Sequence, residues 1–202
     1  MKFNELINKI TLNINENKDY LNELDAAIGD GDHGTNVARA LVKVSEQLES
    51  LNNLDLATKL NKIAMLILSN VGGSSGPLLA TWLMGFAKEL KANNLALDYS
   101  DFINYFASAN EALRKRGNTA YNNKTMYDVL YFVEEKAKEV NNYQEFVANC
   151  ANWANSKLQE TKDIIAKSGR ASYLGPRSIG HYDPGSYTIY LICLSVNEVF
   201  NG

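Results

Sequence analysis

Three carboxylates crowd one short stretch of the chain. In LDAAIGDGDHGTN these are Asp25, Asp30 and Asp32, with Gly29, Gly31 and Gly34 between or beside them. Carboxylates this close raise one another's pKa unless they share a cation. Hard oxygen ligands in a loop suit Mg2+ or Ca2+, and Mg2+ typically takes one or two carboxylates plus the phosphates of a substrate. Gly29-x-Gly31-x-x-Gly34 has the spacing of a dinucleotide fingerprint, but a helical segment precedes it where that motif requires a strand. The same glycines begin a P-loop, yet Thr35 stands where its lysine belongs, and Gly34 and Thr35 break the EF-hand pattern. The chemistry that remains is a metal-first phosphate site, in which carboxylates hold the cation and the cation holds the phosphates. Thr35 and Asn36 open the next helix, whose N-terminal N–H groups favour anions. Spacing alone leaves open an Asx-rich turn with solvated acids.

Two further windows carry similar residue types. NVGGSSGPLLATW sets Gly72, Gly73, Ser74, Ser75 and Gly76 between two apolar helical stretches. Glycines free the backbone to wrap a phosphate, serines donate hydrogen bonds, and the following helix offers its positive end. A plain helix–helix turn with a serine cap is the alternative. SGRASYLGPRSIGHYDPGSY spans about twenty residues between helices, a length that connecting loops reach mostly when they are functional. It carries Arg170, Arg177, His181 and Asp183. Arginine suits phosphate because its fork is planar and always charged, although Arg177, His181 and Asp183 are equally able to pack the loop onto its own backbone.

The elements that must position these windows are helical. Phe3, Leu6, Ile7 and Ile10 mark a first helix, and Tyr20, Leu21 and Leu24 a short second one. Val37, Leu41, Val44 and Leu48 keep one face from Thr35 to Leu51, and Leu56, Leu60, Ile63 and Ile67 do so up to Val71. Leu78, Leu79, Trp82, Leu83, Phe86 and Leu90 follow, with Ser75 as the expected cap and Pro77 in the first turn. Ser100-Asp101 opens the next helix, Thr125 caps another, and Phe146, Cys150, Trp153 and Leu158 belong to one running towards Lys167. SYTIYLICLSVNEVF is rich in β-branched residues, but its length and the spacing of Ile189, Ile192, Cys193, Val196 and Phe200 favour a buried helix. The Asn-rich stretches at 13–22, 93–94, 122–123 and 141–142 read as polar loops or helix ends. The expectation is an all-α, single-domain bundle of about eight helices, residues 1–202, with no strand.

Composition agrees. Ten of the 13 glycines, all 3 prolines and both of the 2 histidines fall in the three windows, so structure breakers are scarce and concentrated. A sandwich or barrel of strands would need turn residues throughout. Of the 202 residues 46% are hydrophobic, enough for a core without disulfides, and Cys150 and Cys193 lack CxxC spacing and read as reduced thiols. A net charge of −3 gives no general footprint for nucleic acid. No stretch matches a signal peptide or a membrane span, so a cytoplasmic protein is expected, with no membrane and no direct nucleic-acid partner.

Taken together, LDAAIGDGDHGTN, GGSSGPL, KTMYD and GRASYLGPRSIGHYDPGS resemble the nucleotide-binding L subunit (DhaL) family of bacterial dihydroxyacetone kinases, in the same order and at similar spacing over most of the chain. The resemblance implies an antiparallel barrel of helices with ADP (or ATP) and two Mg2+ bound across the loops at one end. It implies that Asp25, Asp30 and Asp32 hold the magnesium ions. His33, Gly34, Thr35 and Asn36, with Ser74 and Ser75, would contact the phosphates. Gly117 and Met126 would lie at the adenine and ribose side, Arg170 would approach the nucleotide, and Asp183, Pro184 and Gly185 would form part of a lid. One departure is visible: Asn122-Asn123 stands before Lys124-Thr125-Met126 where the family often has Gly-Asp.

The resemblance further implies transfer of a phosphoryl group from bound nucleotide to dihydroxyacetone held covalently on a separate K subunit, with ADP recharged in place by a phosphohistidine M subunit of the phosphotransferase system. Phosphoryl transfer is mainly positioning and charge neutralisation, so no histidine of this chain needs to act as base. His33 and His181 are accordingly expected to make nucleotide or loop contacts. Rival readings at this level are an ATP-dependent dihydroxyacetone or fatty-acid kinase module, an Mg·ADP-sensing partner of a transcriptional regulator, and a helical bundle stabilised by a structural cation. Whether the chain is a monomer or a homodimer is left open.

Overall fold

The computed structural model describes residues 2–70 and 72–202; Val71, expected at the end of the fourth helix, lies outside them. The described residues form nine α-helices and one 3-10 segment, with no strand. The helices are α1 (Lys2–Glu16), α2 (Lys18–Ile28), α3 (His33–Leu51), α4 (Leu56–Asn70), α5 (Ser75–Ala92), α6 (Tyr99–Gly117), α7 (Met126–Ala137), α8 (Tyr143–Thr161) and α9 (Pro184–Phe200). The 3-10 segment, Arg170–Ser178, lies in the long connection between α8 and α9 and is kinked at Gly175. No helix among the described residues is long and apolar enough to cross a membrane.

The helices bury much of the stripe that their periodicity marks, although Tyr20 and Phe200, expected on buried faces, are exposed. Val37, Ala40, Val44, Leu48 and Leu51 of α3 are buried, as are Ile63, Ala64 and Ile67 of α4. The C-terminal SYTIYLICLSVNEVF is indeed helical, with Ile189 and Leu191 in the core. Contacts run from α1 to α3, then between successive helices from α3 to α9, and α9 returns to α1; α2 packs on α3 and α9. The largest apolar cluster joins α4 to α9 around the rings of Trp82, Phe86, Phe102, Phe106 and Phe146. A polar thread crosses it: the Trp82 indole N–H donates to Asn110 (2.7 Å), whose amide donates to the Glu134 carboxylate (2.7 Å), while the buried Tyr105 hydroxyl of the same cluster has no protein partner.

Several helix boundaries differ from the expected ones, each for a local reason. The Asn-rich stretch 13–22 is almost wholly helical: Asn13 is buried and donates to Ser195 (3.0 Å) and Glu198 (2.8 Å), and Asn17 marks a one-residue break between α1 and α2. Ser75 does not cap α5. The cap position belongs to Ser74, which makes no side-chain capping bond, and the Ser75 hydroxyl turns to His33 instead. Asp98, rather than Ser100-Asp101, caps α6 by accepting from the Asp101 N–H (2.8 Å). Thr125 caps α7 as expected, in a capping box closed by Asp128. α8 stops at Thr161, short of Lys167: the N–H groups of Lys162, Asp163 and Ile164 bond three residues back, tightening the last turn, and the carbonyls of Lys162 and Ile164 beyond it accept from Lys124.

Candidate functional site

The turn between α2 and α3 is organised by Asp25. One of its carboxylate oxygens accepts from the N–H groups of Asp32 (3.0 Å) and His33 (3.2 Å), which satisfies donors at the start of α3. The other oxygen explains Gly29, since a Cβ there would stand 2.4 Å from it. The fold thereby brings Asp25, Asp30 and Asp32 together, with one oxygen of each within 4.8 Å of the others. Asp25 is half-buried, Asp30 and Asp32 exposed. Arg170, reaching from the 3-10 segment, pairs with Asp30 and holds its carboxyl below the usual carboxylate range. Three hard donors at this separation, with a single arginine on one of them, fit a divalent metal that retains water and phosphate ligands.

Next to the triad opens a cavity of about 320 Å3, within the range of small-molecule sites. The first turns of α3, α5, α7 and α9 all contribute to its wall, and α2 and α6 add their last turns. Helix N-termini carry partial positive charge, so the cavity joins an anion-favouring rim to a cation-favouring triad.

Of the residues singled out in the sequence, Asp25, Asp30, Asp32, His33, Asn36, Ser74, Ser75, Gly117, Met126, Arg170, Asp183, Pro184 and Gly185 all line this cavity. Gly34 and Thr35 do not. Gly34 is wedged against α2, where a Cβ would lie 2.1 Å from the Lys18 carbonyl. Thr35 faces the same helix, its N–H donating to Asn22 Oδ1 (3.0 Å) and its hydroxyl accepting from the Asn22 amide (2.9 Å). Arg177 and His181 are exposed and lie off the cavity wall.

His33 ties three helices together. Its Nε2 meets the Thr188 hydroxyl of α9 at 2.8 Å and its Nδ1 meets the Ser75 hydroxyl of α5 at 3.1 Å. Burial pushes its pKa down to about 4, so the ring is neutral at physiological pH and bonds as a neutral group. Asp183 caps α9 by accepting from the Ser186 N–H (2.6 Å) and hydroxyl (3.0 Å), while burial pushes its carboxyl up to about 6.

Sequence reasoning missed Leu78, Leu113, Arg116, Thr119 and Ser168 on the wall. It also missed the hub beneath it. Asp128 accepts from the N–H groups of Asn122 and Thr125 (the latter at 2.7 Å) and so fixes the loop entering α7. The T-x-x-D spacing of a capping box was the available signal. The Asn122-Asn123 departure is accommodated there: Asn122 adopts φ 63°, a region that asparagine tolerates, and Asn123 donates to Ser168 (2.9 Å).

Comparison with known proteins adds independent findings. Residues 27–198 match the DAK2 domain family. The chain is 37% identical over 195 residues to the PTS-dependent dihydroxyacetone kinase, ADP-binding subunit DhaL, of Lactococcus lactis, covering 96% of this chain and 95% of that one. It is 36% identical over 175 residues to the PEP-dependent dihydroxyacetone kinase, ADP-binding subunit DhaL, of Escherichia coli, covering 85% and 83%. Its fold matches the dihydroxyacetone kinase of C. freundii, solved in complex with AMP-PNP and Mg2+, at a TM-score of 0.72 and 23% identity. That match covers 96% of this chain and 33% of the larger one.

Proposed function

The chain belongs to the DAK2 domain family, and from that premise we propose that it is the ADP- and Mg2+-binding subunit of a phosphotransferase-system-dependent dihydroxyacetone kinase. The observation that carries the reading is the carboxylate triad beside a cavity walled by four helix N-termini, in a chain whose near full-length relatives are named ADP-binding subunits. The circuit of helix contacts supports reading the scaffold as an antiparallel barrel with the nucleotide at one end.

In this reading Asp25, Asp30 and Asp32 hold two Mg2+, and Asn36, Ser74 and Ser75 receive the phosphates, with His33 lining the cavity behind them. Gly117 and Met126 border the base and ribose, while Asp183, Pro184 and Gly185 close the site from the start of α9. Bound nucleotide with its metal supplies the phosphoryl group that passes to dihydroxyacetone on a K subunit, and a phosphohistidine M subunit restores it. This chain's residues orient and neutralise rather than move protons. His33 is neutral and already engaged through both ring nitrogens, so its part is to hold α5 and α9 at fixed distances from the metal turn. Arg170 is the cation that the α8–α9 connection brings to the cavity wall, and turning from Asp30 would carry it to a phosphate.

The test begins with the nucleotide released on denaturing the purified protein, followed by phosphoryl transfer to dihydroxyacetone with and without added K and M subunits. ADP in the released fraction and activity only with both partners are expected. A nucleotide-free protein with no measurable Mg·ADP affinity would overturn the reading. Fast exchange of bound ADP for free ATP would replace it with an ATP-consuming kinase module.

A further inference from the structure

Lys124 is the largest fully buried side chain among the described residues, 0% exposed, in a backbone conformation (φ 61°) that side chains other than glycine's rarely adopt. Its ammonium accounts for all three protons on backbone carbonyls of the α8–α9 connection: Lys162 (3.2 Å), Ile164 (3.1 Å) and Ser178 (2.6 Å). These carbonyls come from both ends of the connection, so one group draws its start and its finish together. The Gly180 N–H closes the same base by donating to the Lys162 carbonyl (2.9 Å), and the Lys167 N–H donates to the Asn123 carbonyl (3.1 Å). Apolar support between 163 and 180 is a small cluster of Ala166 and Ala171 against Ile28, with Leu174 beside them, while Tyr182 anchors the end of the connection on the main core.

We infer that Lys124 is a positioning residue, whose ammonium shapes the 162–180 connection so that Ser168, Gly169, Arg170 and Ala171 form their part of the cavity wall. The residues following Lys124 in the chain, Thr125 and Met126, line another part of that wall. A single side chain thus sets the spacing between the lid and the start of α7. Burying an ammonium without a carboxylate on it is costly, and a core role alone would be served by methionine. Three carbonyls converging on one point require a compact donor with three protons; the planar fork of arginine does not match them.

The inference rests on the Mg·ADP reading of the cavity, and the experiment separates the two. Lys124→Met and Ser178→Ala are made in the full chain; the second removes hydroxyl bonds to the Ala166 N–H (2.9 Å) and the Gly175 carbonyl (2.6 Å) while leaving the lysine. Hydrogen exchange across 163–181, titration with Mg2+·ADP and titration with Mg2+ alone are compared with the parent. For Lys124→Met the connection is expected to lose protection, with Mg·ADP affinity falling at least about tenfold and Mg2+ alone binding within about twofold. Ser178→Ala is expected to show the same pattern at about threefold. Parent-like protection and Mg·ADP affinity in Lys124→Met would overturn the inference, as would an equal loss for Mg2+ alone. Should Lys124→Met fail to fold, Lys124→Gln, whose amide has two protons for three carbonyls, decides by the same readings, with Ser178→Ala as the control that loosens the connection while leaving the lysine. A parent protein that binds no Mg·ADP overturns the site reading instead, and loop protection then decides the part played by Lys124.

Discussion

Arg170 of the 3-10 segment bonds the carboxylate of Asp30 in the turn before α3, and so joins the α8–α9 connection to the carboxylate turn on the cavity wall. In the proposed Mg·ADP site the same guanidinium would meet a phosphate, so it would compete with a metal for Asp30 and cooperate with nucleotide. Both residues are exposed, and the pair itself contributes little stability. Replacing Arg170 with glutamine is expected to leave Mg2+ affinity unchanged or tightened by up to about fivefold, since only a surface pair is lost. Mg·ADP affinity is expected to fall by about tenfold or more, the loss of one charge-assisted bond to phosphate. Calorimetric titration with each ligand separates the two effects; equal weakening of both would show that Arg170 serves the triad rather than the nucleotide.

Asp25 accepts the first N–H groups of α3 and, in the proposed site, would also hold metal, two duties that substitution can divide. Asparagine retains an oxygen for the N–H groups of Asp32 and His33 but removes the charge. Asp25→Asn should therefore melt within a few degrees of the parent while losing on the order of a hundredfold in Mg·ADP affinity. Asp25→Ala should lose both, because the start of α3 is left with unpaired donors. Thermal unfolding beside nucleotide titration gives the comparison. Retained affinity in Asp25→Asn would remove this carboxylate from the metal set.

Asp183 makes the stability of the ligand-free chain depend on pH in a direction opposite to most carboxylates. Burial raises its pKa from 3.8 to about 6, so between those values the folded chain keeps a proton that the unfolded chain has released. Its contribution is therefore fully present below pH 3.8 and is lost as pH rises through about 6. The size is on the order of 1–3 kcal/mol, allowing for the solvent that still reaches the group. Asn is as good a cap as Asp, so Asp183→Asn should be the more stable protein at pH 7, with the advantage closing towards pH 4. Denaturant unfolding of both proteins at several pH values, without metal or nucleotide, measures the gap. A gap that stays constant with pH would refute the buried-carboxyl account.

What could be read from the sequence was what is local in the chain. The carboxylate triad lies within one turn and its neighbouring helix end, and helix interiors announce themselves through stripes such as Val37, Val44 and Leu48. What could not be read depends on groups far away in sequence. Ser75 before Pro77 has the pattern of a cap, but His33, 42 positions earlier, takes its hydroxyl. Lysine is the residue least expected in a core, and the acceptors that bury Lys124 are backbone carbonyls, which no residue pattern displays. Periodicity finds the faces of helices; the turn after Thr161, whose Lys162 and Ile164 carbonyls meet that distant lysine, leaves no such trace.

Gly34 and Thr35 test how far the reading of a phosphate loop extends into α3. Their spacing groups them with His33 and Asn36, yet the fold turns them towards α2 and away from the cavity. A methyl at Gly34 would meet the Lys18 carbonyl at 2.1 Å and Leu21 Cβ at 2.8 Å, both in the backbone or rigid stem of a packed helix. Relief requires α2 and α3 to separate, and α2 carries Asp25, so Gly34→Ala is expected to destabilise by about 2 kcal/mol or more and to weaken metal binding through the displaced triad. Thr35→Val removes only the bond from the Asn22 amide to the hydroxyl, at about 1 kcal/mol, and leaves Asp25 in place. Its Mg·ADP affinity should stay within about threefold of the parent. Denaturant unfolding and nucleotide titration of both variants check this. If Thr35→Val instead lost nucleotide with unchanged stability, the hydroxyl would have to leave Asn22 for the phosphates when ligand binds, and the first turn of α3 would belong to the site rather than to its scaffold.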